Sequence, residues 1–88
     1  MKVLIQEVVC EDWKAIYIND KKVLEDHKID IVDICDELDK LINIETFARK
    51  RINAIDSIEG YHFYLNDEYA EEYGFPECFS DIPKDAFE

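Results

Sequence analysis

Two polar dipeptides cut the first 25 residues into three short runs of β-forming residues, and this punctuation constrains the fold more than any other feature. Val, Leu and Ile dominate Lys2–Cys10, where Val3, Ile5 and Val9 share a parity with Glu7. Glu11-Asp12 then offers a turn. Trp13–Ile18 is rich in aromatic and branched residues, which suit a pleated surface. Trp13, Ala15 and Tyr17 fall on one face, and Lys14, Ile16 and Ile18 on the other. Asn19-Asp20 suits a tight hairpin turn, because Asn and Asp tolerate positive φ better than other non-glycine residues. Lys22–Glu25 completes a third, shorter strand. Strands joined by such short turns make an antiparallel meander.

The next segment changes period. Ile31, Ile34, Cys35, Leu38, Leu41 and Ile42 recur at helical spacing and form one apolar stripe. Asp30 stands at the N-cap, with Asp33 three residues on, where the helix dipole favours acids. Asp36 and Lys40 are spaced for an i, i+4 ion pair. Residues 43–57 carry both helical and alternating patterns; helix is the reading preferred. Tyr61–Leu65 reads as a strand after Gly60. Asn66 can cap a short helix over Asp67–Tyr73, with Gly74 where helices end and Pro76 just beyond. Phe75–Glu88 reads as loop, pinned by Phe79, Ile82 and Phe87. The expected fold is a single α+β domain over residues 1–88. An antiparallel meander packs on an amphipathic helix, with one further strand and a short C-terminal helix.

Charge is distributed unevenly. The 88 residues hold 22 acids and 10 bases, a formal net charge of −12. Ten of the acids and one base, Lys84, lie in Ile52–Glu88, a net −9; residues 1–51 are left with −3. The apolar content of 48% and the frequent aromatics set this chain apart from disordered acidic tails. A strongly anionic surface repels nucleic acid and anionic lipid and favours basic partners. Met1–Ile5 is apolar but gives way to Gln6 and Glu7, too soon for a signal peptide or a membrane span. Cys10, Cys35 and Cys78 are odd in number and lack any CxxC or Cys–His spacing. No disulfide framework or zinc site is implied, and free thiols fit a reducing cytoplasm.

No catalytic motif stands out. The acids of the first helix, Asp30, Asp33, Asp36, Glu37 and Asp39, have helix-surface spacing without the glycine of a calcium loop, and read as a solvated face. His27 and His62 belong to no ligand spacing. No P-loop, dinucleotide fingerprint or Ser-His-Asp arrangement is present, so no enzyme, cofactor or metal is expected. Arg49-Lys50-Arg51 is the one basic cluster. It serves either as counter-charge to the acidic back half or as a contact for head-to-tail self-association. The candidate partner-binding residues are Glu59, Tyr64, Asp67, Glu68, Tyr69, Glu71, Glu72, Tyr73, Glu77, Asp81 and Asp85. Acids interleaved with tyrosines form a surface for a basic protein groove, since Tyr pairs an apolar body with a polar tip.

One resemblance bears on source. Asp12 to Lys21 (Asp-Trp-Lys-Ala-Ile-Tyr-Ile-Asn-Asp-Lys), followed by Leu24-Glu25-Asp26-His27, resembles a segment of short uncharacterised phage and prophage proteins. Those run Trp, three residues, Tyr, one residue, Asp/Asn-Gly-Lys, then an acid before a His and an amphipathic helix. This chain has Asp20 where that pattern has glycine. The match covers about residues 4–42 and implies a meander-plus-helix domain in the cytoplasm of a bacterial host, with no activity attached. With the charge segregation, it leads to the expectation of a non-enzymatic acidic inhibitor of a host or defence protein. In its sharpest form this is a DNA mimic occupying a nucleic-acid-binding enzyme. An immunity protein against a basic toxin and a self-associating accessory protein are the alternatives.

Overall fold

The computed structural model describes residues 2–45 and 57–88, with side chains placed for all of these except 41–45. The meander is present. Strands β1 (Lys2–Cys10), β2 (Trp13–Ile18) and β3 (Lys21–Asp26) pair antiparallel in sequence order. Asn19 and Asp20 form the β2–β3 turn with φ of 50° and 76°, the positive pair that a two-residue hairpin turn matching strand twist requires. Both side chains then reach away from the turn. Asn19 Oδ1 accepts from the Leu4 N–H at 2.9 Å, and the Asp20 carboxylate accepts from the Ser80 N–H and hydroxyl at 2.7 and 2.8 Å. Glycine would relax the backbone here but could not hold Ser80.

The fourth strand, β4 (Ser57–Tyr64), starts four residues ahead of the expected Tyr61 and lies parallel to β1. The strand order is β3-β2-β1-β4, so the sheet is mixed. Helix α1 (Ile31–Glu45) lies between β3 and β4 in the chain. The segment expected as helix over 43–57, and the basic cluster Arg49-Lys50-Arg51, fall mainly outside the described residues.

Both faces of the central strands are covered, which is why both parities of β1 and β2 are apolar, while β4 stays largely exposed. On one face, Val3, Ile16 and Ile18 are buried with Ile5, Leu24 and Ile29 against Ile34 and Leu38 of α1. Only part of the helical stripe is used: Ile31 remains 73% exposed, and Cys35 is exposed. At the helix start the Asp33 carboxylate accepts from the Asp30 N–H at 3.0 Å, the returning half of a capping box. Lys40 pairs with Glu37 at 3.0 Å instead of the expected Asp36, taking the i, i+3 neighbour over the i, i+4 one.

The other face holds the larger core. Val8, Ala15 and Tyr17 pack with Leu65, Phe75, Ile82 and Ala86. The segment expected as loop after Phe75 crosses this face and includes two short 3-10 turns, Phe79–Asp81 and Lys84–Ala86. It touches both edges of the sheet, pairing Cys78 with Lys21 beside β3 and Phe87 with Leu65 just past β4. The expected apolar pins do hold it. Phe79 and Phe87 stack at 5.5 Å and both meet Phe63, while Phe79 sits edge-on to Tyr17 at 5.7 Å. Tyr17, fully buried, donates its hydroxyl to the Pro76 carbonyl at 2.7 Å. No described helix is long and apolar enough to cross a membrane.

Candidate functional site

The site is organised by the second helix, α2 (Asp67–Tyr73), seven residues of sequence Asp-Glu-Tyr-Ala-Glu-Glu-Tyr. Its start is fixed by Asn66, whose Oδ1 accepts from the Glu68 N–H at 2.8 Å. Its end is fixed by Gly74 at φ 67°, whose N–H returns to the Ala70 carbonyl at 2.9 Å. Between these caps, Tyr69 and Ala70 pack on the large core. The helix period then commits its acids. Asp67 and Glu71, four apart, share one flank; Glu68 and Glu72 share the other.

Each flank borders a depression. On the Asp67–Glu71 side is a cleft of about 330 Å³, walled by Cys10, Trp13, Ala70, Gly74 and Phe75 and carrying Glu11, Asp12 and Glu25 as well. On the Glu68–Glu72 side is a shallower groove of about 220 Å³, lined by Asn66, Tyr69, Tyr73, Asp85 and Ala86 besides those two acids. Among the described residues no Lys, Arg or His lines either one, although Lys22 reaches the Glu25 carboxylate at 2.6 Å and the Phe75 carbonyl at 2.8 Å at the rim of the cleft. The short helix is thus a ridge between two hollows lined by eight carboxylates, of which Glu25 alone is paired with a base among the described residues.

Local contacts fix several walls. Cys10 Sγ donates to Asp67 Oδ1 at 3.1 Å, and burial, then Asp67 itself, pushes the thiol pKa up to about 11. A thiol raised in this way is mostly protonated at neutral pH, where it is a poor nucleophile. Trp13 donates its indole N–H to Glu25 at 2.9 Å and stacks on His27 at 5.9 Å. Burial acts to raise the Glu25 pKa, but the hydrogen bonds from Lys22 and Trp13 outweigh it and hold the group below its usual value. Tyr69 and Tyr73 lie 4.8 Å apart beside the groove. Burial, with Tyr73 and Asp81 nearby, raises the Tyr69 pKa. Among the described residues, no group of His, Cys, Asp and Glu is placed to hold a metal ion.

The sequence candidates divide by position. Asp67, Glu68, Tyr69, Glu71, Glu72, Tyr73 and Asp85 line the two hollows. Asp81 stands close enough to influence Tyr69. Glu59 does not join them. It sits on β4 six residues before Leu65, about 20 Å along the strand at ~3.3 Å per residue. Tyr64 pairs with Val9, so it lies on the α1 side of the sheet, edge-on to His62 at 4.7 Å. Glu77 lines neither hollow and lies 3.6 Å from Lys22. Five residues from the front of the chain were not anticipated: Cys10, Glu11, Asp12, Trp13 and Glu25. The Glu11-Asp12 turn was legible, but not the folding that sets it across from α2. Trp13, Glu25 and His27, three residues of the phage-like segment, form one local contact. Comparison with family models, curated proteins and solved structures gives no match.

Proposed function

We propose that this chain is a non-enzymatic binding protein whose acidic ridge receives a basic surface of another protein. The observation that carries the reading is α2. Its four acids, Asp67, Glu68, Glu71 and Glu72, flank two hollows without an ion pair to any described base, and its tyrosines are available beside them. Such an array attracts a cationic partner over long range and offers aromatic area for close contact. The acidic residues belong to capped, packed backbone, so less ordering entropy opposes binding than for a flexible acidic tail.

In its specific form, the basic surface is the nucleic-acid groove of a host or defence enzyme, and the ridge competes with the phosphate backbone. The phage-like segment of residues 12–27 and the acid density of residues 67–72 support this choice. The experiment is competition. The protein displaces DNA from a DNA-binding defence enzyme and blocks cleavage, with potency falling steeply as salt rises. Reversing Glu68, Glu71 and Glu72 to Lys abolishes the effect while leaving circular dichroism unchanged. If no such enzyme is captured or inhibited, and the triple reversal leaves the biological effect intact, the proposal is lost.

A further inference from the structure

The two hollows differ in chemistry, and the larger one has an aromatic wall set for a flat cation. Trp13 is the only tryptophan of the chain and is 39% exposed at this cleft. Its orientation is held at two points, by the N–H bond to Glu25 and by the His27 ring at an interplanar angle of 24°. An indole fixed in this way presents its quadrupole without a further loss of rotamer freedom. Around it, Glu11, Asp12 and Glu71 make no side-chain hydrogen bond or ion pair with any described residue. The volume of about 330 Å³ lies at the small end of ligand-sized pockets, suited to one long side chain and not to a folded element.

We propose that the Trp13 cleft is an arginine pocket, taking one guanidinium from the basic segment of the partner. The inference rests on the ridge reading above and goes beyond it by separating one specific contact from general charge attraction. Arginine is favoured over lysine on two grounds. A planar guanidinium stacks on the indole face, and its fork of donors matches a carboxylate of the cleft such as Asp12 or Glu71, whereas an ammonium acts as a hydrated point charge. The Glu68–Glu72 groove offers charge and the surface of Tyr69 and Tyr73 but no comparably fixed indole.

Hexa-arginine and hexa-lysine peptides test this, because charge and length are matched. Trp13 emission reports occupancy in the native chain, and calorimetry follows the variants. The expected result is that hexa-arginine binds about two- to fivefold tighter, the margin that a cation over a partly exposed indole supplies. Trp13→Leu and Glu71→Gln each reduce that preference toward unity. Glu72→Gln, across the helix, weakens both peptides alike and keeps the ratio. Equal binding of the two peptides, or a ratio unmoved by Trp13→Leu in a variant with native circular dichroism, overturns the arginine pocket and leaves the ridge standing. Binding of neither peptide overturns both.

Discussion

Tyr17→Phe isolates one hydrogen bond that ties the sheet to the crossing C-terminal segment. The phenol is fully buried and its hydroxyl donates to Pro76 at 2.7 Å, so the variant leaves a carbonyl without its donor while keeping the ring against Phe79. The cost at neutral pH is about 1.5 kcal/mol, within the range for stranding a buried partner. At about 2.1 cal/mol/K per residue, 88 residues give an unfolding entropy of about 0.18 kcal/mol/K, so the melting temperature falls by about 8 °C. Alkali then changes the comparison. Burial raises the Tyr17 pKa, with the nearby Glu25 and Glu77 charges acting in the same direction. A raised folded pKa means the unfolded chain releases its proton first. Stability from this group is complete below the ordinary tyrosine value near 10 and is lost as pH rises above it, by about 1.4 kcal/mol per pH unit. The Phe variant has no such proton. Cys10 titrates in both proteins and cancels in the difference, while ionised Tyr69 acts on Tyr17 in the same direction as Glu25 and Glu77. The stability gap should therefore begin to close above about pH 10 and disappear near pH 11. Urea denaturation of both proteins at several pH values measures this directly. A gap that stays constant through pH 11.5 (~1.5 units above the ordinary value) would show that the phenol ionises in the folded state as easily as in the unfolded one, refuting the burial argument.

Three further outcomes are expected. Asp20→Gly loses the two Ser80 bonds but relieves a positive φ, for a net loss of about 1 kcal/mol; Asp20→Ala keeps the strain and loses about 2. A glycine variant as stable as wild type in thermal melts would mean that the Ser80 contacts contribute no more than the relieved strain. Gln6 is only 9% exposed and makes no side-chain hydrogen bond with any described residue, so Gln6→Leu should raise the melting temperature by about 5 °C; a lower value would reveal a hidden partner for the amide. Cys10 should react slowly with a disulfide reagent at neutral pH, because its pKa is near 11, and Asp67→Asn should speed it several-fold by removing the second largest cause of the shift. Peptide mapping assigns the labelled thiol, and an unchanged Cys10 rate rejects the coupling.

What the sequence made legible was local. The two meander turns, the caps Asn66 and Gly74 and the start of α1 depend on residues within a few positions, where side-chain chemistry and φ preference decide the outcome. The parallel placement of β4 was not legible. Nothing in Ser57–Tyr64 indicates whether it lies against β1 or β3; that follows from how the chain returns to the sheet after α1. The same limit split the candidate site. The sequence reads the acids of α2 as one surface, whereas the structure divides them, with Asp67 and Glu71 at the cleft and Glu68 and Glu72 at the groove. Cys10 and Asp67 are 57 positions apart, and their contact exists only because Leu65 extends the strand beside Val9 and delivers α2 to the far end of β1. A listing of acids by segment could not distinguish Glu59 on the strand from Glu71 at the cleft.

That geometry also explains why the front half of the chain can be nearly neutral in sequence and still contribute to an acidic site. Two of its described bases are engaged away from its first turn. Lys22 is spent on Glu25 at 2.6 Å, on Glu77 at 3.6 Å and on the Phe75 carbonyl at 2.8 Å, holding the crossing segment against β3. Lys40 is paired with Glu37 on α1, across the sheet from α2. The β1–β2 turn, by contrast, brings Glu11 and Asp12 without a base to the end of the sheet that α2 occupies. Concentrating like charge there costs stability through self-repulsion, and a neutral turn such as Asn-Gly would fold more readily, all the more because Glu11 has a φ of 55°. Local folding chemistry therefore does not account for Glu11-Asp12, whereas a cationic occupant between this turn and Glu71 would offset the repulsion. Replacing the pair by Asn-Gly separates the two explanations: it should raise the melting temperature of the free protein and weaken its binding of hexa-arginine. A turn selected only for folding would give no gain in stability and no loss of binding.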